Sequence, residues 1–150
     1  MLVSTAERVS RNTTGAINDR IRRRTLAHVA CLASASPEAI QKRLDELDME
    51  WDIERCLETM ASSFTLVGML LGLTARKRWF VLAAVVQGFF LQHALQGWCP
   101  PIPVLRRMGV RTSQEIEYER YALKVLRGDF AALAREITVD AGEVLRAVRK

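Results

Sequence analysis

The chain has 150 residues, 49% hydrophobic and 26% charged, with a formal net charge of +5, which allows one domain-sized core. The basic excess lacks the aromatic–basic interleaving of a nucleic-acid surface and so gives no argument for a nucleic-acid partner. Three cysteines, odd in number and without a C-x-x-C spacing, argue against a disulfide framework.

The averages hide a segregation. Between Thr59 and Leu105 the only charged residues are Arg76, Lys77 and Arg78, side by side, whereas residues 1–58 carry nine basic and ten acidic side chains. The first residues, Met1-Leu2-Val3-Ser4 followed soon by Glu7 and Arg8, lack the apolar core of a signal peptide. The expected division is a helical tail over 1–58, an apolar hairpin over 59–99 and a second helical tail over 100–150.

In chain order, Arg20, Arg22, Arg23 and Arg24 precede Leu26, Val29 and Leu32, a helix of modest amphipathicity suited to water or to a membrane surface. Ser36-Pro37-Glu38 is a helix start: a capping residue, proline at the first position, then an acid near the positive helix end. Ile40, Leu44, Leu47 and Trp51 form one apolar stripe, and nothing between Trp51 and Met60 reads as a stop. The expectation is one continuous helix into the apolar region.

Two apolar runs follow. Residues 59–75 give roughly 25 Å of helix, and residues 79–98 roughly 30 Å, against a hydrocarbon core of about 30 Å. Phe64–Leu73 is apolar on every face, unlike a soluble helix. Arg76, Lys77 and Arg78 fill the turn, and Trp79 and Trp98 bracket the second run where interfacial aromatics belong. The fold class expected is all-α, a two-helix transmembrane hairpin flanked by amphipathic and soluble helices. Beyond it, Thr112-Ser113-Gln114-Glu115 is a capping box opening a helix with Ile116, Leu123 and Leu126 on one side and Gly128 as its stop. Asp129 and Asp140, the latter with Glu143 three residues on, are capping candidates for short helices.

Small residues recur on the first run at Ala61, Thr65, Gly68, Gly72 and Ala75, and on the second at Ala84 and Gly88. In lipid such spacing lets backbones approach closely, within the hairpin or between copies. Gln87, Gln92, His93 and Gln96 make the second run polar toward its end, with Gln92, Gln96 and Cys99 on one face. Polar groups there serve inter-helix hydrogen bonds or a ligand site. Folded at Lys77, the hairpin brings Cys56 and Cys99 to similar depth near His93, a candidate thiol or ligand site. No Walker loop, dinucleotide glycine run, H-E-x-x-H or G-x-S-x-G occurs, so no catalytic residue, metal site or cofactor is expected.

The stretch from Ala61 to Gly109, above all Gly97-Trp98-Cys99-Pro100 with Pro103, Leu105 and Gly109, resembles the YgaP-like transmembrane domain family. The flanks from Glu50 to Arg55, and from Tyr121-Ala122-Leu123-Lys124 through Arg127-Gly128-Asp129-Phe130, resemble its long, tail-bearing members. The resemblance implies a bacterial inner-membrane hairpin closed by a G-x-C-P element. Some members are fused to a rhodanese domain, for which these tails are too short. The role expected is that of a non-enzymatic scaffold or partner subunit in the lipid bilayer, as a homo-oligomer or with a membrane protein. The alternative is an accessory in sulfur or thiol metabolism acting through Cys99 with a sulfurtransferase partner. Six basic residues near the span ends on the tail side (Lys42, Arg43, Arg55, Arg106, Arg107, Arg111), against three in the turn, put both termini in the cytoplasm.

Overall fold

The computed structural model describes residues 7–131, and among them the chain is all-helical, with no strand. The helices are α1 (Arg8–Arg11), α2 (Gly15–Leu32), α3 (Pro37–Met49), α4 (Ile53–Thr74), α5 (Trp79–Gln96), α6 (Ile102–Met108) and α7 (Ser113–Arg127). Asp140 and Glu143 lie outside the described residues. The described chain divides into two compact units, one of residues 7–22 and 51–114, the other of 23–50 and 115–131.

The second unit is an ordinary amphipathic assembly. Ser36 caps α3 by accepting a hydrogen bond from the Ala39 amide, and Pro37 occupies the first turn, where its missing N–H costs nothing. Ile40, Leu44 and Leu47 fall on one face and pack with Ile116 and Leu123 of α7, with Val29 and Leu32 of α2 against them. Glu119 is fully buried on α7, and its Oε1 accepts from Arg43 Nε at 2.8 Å and lies 3.3 Å from His28 Nδ1. Arg120 pairs with Asp48 and with Glu117. Gly128, at φ +85°, ends α7 in the left-handed conformation that glycine adopts without strain. Asp129 turns its carboxylate back to Arg127, Oδ1 accepting from Nε at 2.7 Å.

The expected continuous helix from α3 into α4 does not form. Glu50 is extended (φ −69°, ψ 130°) and Asp52 caps a new helix, accepting from the Arg55 amide at 2.7 Å. Asp52 Oδ2 also accepts from the Ser113 hydroxyl at 2.8 Å, and the Ile53 amide donates to the Arg111 carbonyl at 2.9 Å. A carboxylate with two such donors is worth more at a helix start than mid-helix, where it competes with the backbone. Trp51 accordingly leaves the α3 stripe, and Arg55 lies over its ring, 4.4 Å from the centroid.

In the first unit, α4 and α5 run side by side as a hairpin closed by the turn at Ala75–Arg78, where the Ala75 and Arg76 amides both donate to the Leu71 carbonyl. Both apolar helices, the one ending at Thr74 and the one from Trp79 to Gln96, are long and apolar enough to cross a membrane. At the opposite end from the turn, Val9, Ile53, Leu57, Cys99 and Ile102 form a small core, with Phe90, Leu105 and Val110 against it.

Beside this core lies Arg106, fully buried on α6. It donates to Thr13 Oγ1 (3.2 Å), Asn18 Oδ1 (2.9 Å) and the Val110 carbonyl (3.1 Å), tying the α1–α2 segment to α6. Burying a guanidinium is tolerated only when its donors are engaged. Arg106 and Arg111 were expected among the basic residues flanking the spans; both are buried instead, and only Arg55 and Arg107 of that set in this unit are exposed.

Asp52→Ala removes a cap and the Ser113 contact together and should destabilise the protein by about 1–2 kcal/mol. Asp52→Asn, which still caps, should lose less. Thermal unfolding in detergent measures both; equal midpoints for Asp52→Ala and the parent chain would refute the role given to Asp52.

Candidate functional site: the α4–α5 seam and its G-x-C-P end

The seam is built on absent side chains. A Cβ placed on Gly68 would lie 3.1 Å from the Ala83 amide nitrogen and 3.2 Å from the Trp79 carbonyl oxygen, so α5 backbone occupies the space a side chain would need. At Gly72 the occupant is the Phe80 ring, 2.7 Å from the same imaginary atom. Ala61, Gly68 and Gly72 are buried and Thr65 is half-buried, whereas Ala75 is exposed. Backbone contact at this range multiplies dispersion contacts that longer side chains would hold apart.

The partner face of α5 is not the expected one. Ala84 and Gly88 are exposed, and a Cβ on Gly88 would meet nothing within 4 Å. The face turned to α4 carries Phe80, Ala83 and Gln87. Ala83 differs from Ala84 by about 100° around a helix, so one residue moves the contact to another side. Gln87 Nε2 donates to Thr65 Oγ1 at 2.8 Å, a cross-seam bond that fixes the axial register of the two helices.

The other polar residues of α5 divide. Gln92 is half-buried and Gln96 exposed, with the Gln96 carbonyl accepting from Asn12 Nδ2 at 3.0 Å. His93 is 3% exposed and stacks near the Phe90 ring, centroids 6.4 Å apart. Neither of its ring nitrogens has a hydrogen-bond partner, nor does the buried Nε of Arg8. The Arg8 guanidinium donates through Nη1 to the Ala94 carbonyl at 3.2 Å.

The G-x-C-P element is a chain reversal whose residues each have a physical task. Gly97 ends α5 at φ +76°, with its amide bonded to the His93 carbonyl, and a Cβ there would strike the Arg8 backbone at 2.5 Å. The Cys99 carbonyl accepts from the Ile102 amide at 3.0 Å, and Pro101 opens α6 where a proline's missing N–H is harmless. Gly109 (φ +93°) ends α6 by the same left-handed turn. Trp79 and Trp98 are half-buried; Arg76, Lys77 and Arg78 are exposed at the far end.

All three cysteines are free. Cys99 is buried with Ile53 and Leu57, Cys56 is half-buried and outside that cluster, and Cys31 is exposed on α2. A nucleophilic thiol needs an exposed, electropositive setting, which buried Cys99 does not have. Among the described residues no group of three or more His, Cys, Asp and Glu is placed to hold a metal ion.

No family model matches the chain, and neither a curated protein nor a solved structure matches it.

Gly68→Ile and Gly72→Ile should each cost about 1–3 kcal/mol by forcing the helices apart. Gly88→Ala should be neutral or stabilise by up to about 1 kcal/mol, because it only improves helix propensity. Thermal unfolding in detergent separates the three; parental stability in both isoleucine variants would show that the seam is not a close contact.

Iodoacetamide should modify exposed Cys31 first, half-buried Cys56 more slowly and buried Cys99 least. Mass spectrometry of a time course reads this directly; Cys99 modified as fast as Cys31 would refute its burial.

Proposed function

We propose that the chain is a small integral membrane protein whose α4–α5 hairpin spans the bilayer and anchors a water-facing helical unit, a scaffold or partner subunit rather than an enzyme. The observation that carries this reading is the outward face of the hairpin. Leu66, Leu70, Leu73, Val81 and Leu91 are each more than 60% exposed, and Phe64, Val67, Met69, Val85, Phe89 and Leu95 lie between 38% and 56%. Half-covering such a side chain is worth about 1 kcal/mol, so together they amount to on the order of 10 kcal/mol. That equals the net stability of a typical domain, about 5–15 kcal/mol. Hydrocarbon removes the penalty without any further protein.

The turn supports the same reading. Arg76, Lys77 and Arg78 stand at one end of the apolar band, with the half-buried Trp79 beside them and the half-buried Trp98 at the other end, as interfacial residues do. With Arg106 and Arg111 buried, the orientation rests on the polar mass of the tails, which is cheaper to leave in the cytoplasm than to translocate. The bacterial inner membrane and the YgaP-like family belong to this proposal through the resemblance of Gly97–Pro100 and Gly109. An accessory role in sulfur chemistry rests on that resemblance alone, and the buried Cys99 thiol gives it no support.

The protein should remain in the membrane pellet after alkaline carbonate extraction, and a C-terminal alkaline phosphatase fusion should be inactive. Release into the supernatant would overturn the membrane reading; an active fusion would reverse the orientation.

A further inference from the structure

Near the core end of the hairpin, side chains of α4, α5 and the reversal after α5 line a cavity of about 250 Å3. Ala61 and Val86 form part of its walls, and Cys99 and Pro100 of the G-x-C-P reversal also line it. Phe64 and Phe89, 50% and 38% exposed, line it as well. These two rings belong at once to the cavity and to the outward apolar face, so the space is continuous with whatever covers that face.

The lining is apolar throughout. A water molecule needs two to four polar partners in such a site, and spaces of this kind stay dry and take apolar guests. At about 30 Å3 per water-sized group, the volume has room for roughly eight groups of methylene size. Gly68 and Gly72 bring the helices into close contact toward the turn, whereas at the other end Phe90 and the Cys99–Pro101 reversal line the space.

We infer that this cavity holds one acyl chain of a membrane lipid, taken from the leaflet on the side of the tails. The inference rests on the membrane reading above, which supplies the source of the chain. Continuity with the outward face, rather than cavity size alone, selects a lipid chain over a free apolar solute: the guest can enter sideways from the bilayer without crossing water. A chain seated there packs against Phe64 and Phe89 and covers Cys99, which is buried beside the cavity.

Native mass spectrometry of the detergent-purified full chain, reconstituted in phosphatidylethanolamine and phosphatidylglycerol vesicles and re-extracted, tests it. The parent chain should retain one phospholipid. Ala61→Phe and Val86→Phe, which fill the cavity from opposite helices, should each lower retention about tenfold. Leu91→Phe, on the exposed face of α5, should leave it unchanged. Lipids carrying a diazirine on the acyl chain should crosslink to peptides containing Phe64, Phe89 or Cys99 in the parent and lose those crosslinks in the filled variants. Equal retention in parent and filled variants would overturn the inference, as would crosslinks spread evenly along α4 and α5. A Cys99–Cys99 disulfide between copies would give the space to a second chain and overturn it too. A protein released by carbonate would instead fail the membrane reading, a result distinct from a pelleted protein that retains no lipid.

Discussion

The close approach of Gly68 to the Ala83 and Trp79 backbone is the contact on which the first unit depends. It sets the distance between α4 and α5 near the turn, and the Gln87–Thr65 hydrogen bond sets how far one slides along the other. Neither contact uses a large side chain. The large ones are left pointing outward, and a hairpin packed on glycine and alanine therefore exposes nearly all its apolar mass. The apparent mismatch between a soluble-looking composition and exposed leucines is thus one consequence of a small-residue seam. The polar tails raise the average, and the hairpin holds the exceptions.

At the other end the chain relies on polar groups. Arg106 sits among Thr13, Asn18 and the Val110 carbonyl, and Asp52 joins the start of α4 to Ser113. The Arg106 bonds matter because a buried guanidinium left unmet costs more than the bond contributes when made. The left-handed turns at Gly97 and Gly109 bring these elements within reach of one another. A motif of two glycines, a cysteine and prolines is intelligible here as geometry, before any chemistry is assigned to the thiol.

Much of this was legible in sequence. Charge segregation located the two apolar helices, Ser36-Pro37 and Gly128 marked helix ends where they occur, and the small-residue stripe on α4 named Gly68 and Gly72. The misses share a cause: they depend on contacts between distant residues. Asp52 looked like one acid among many on a charged helix face, and only its bonds to the Arg55 amide and Ser113 make it a cap. Ala83 rather than Ala84 faces α4 because the tight turn fixes rotation, which spacing within α5 alone does not encode. By spacing Arg106 is one more basic residue at a span end; Thr13 and Asn18, which engage its guanidinium, lie about ninety positions earlier.

The contact between Arg8 and the end of α5 has a consequence for how the molecule is made. Gly97 has no side chain because the Arg8 backbone passes over it, and Arg8 bonds the Ala94 carbonyl 86 residues further along the chain. Ribosomes add roughly 5–20 residues per second, so the Arg8 segment is synthesised about 4–17 seconds before its docking surface exists. During that interval the hairpin is emerging and Val9 has no core to enter. The Arg8 segment, made before the hairpin, is therefore among the last to find its place, closing over a hairpin already assembled beneath it.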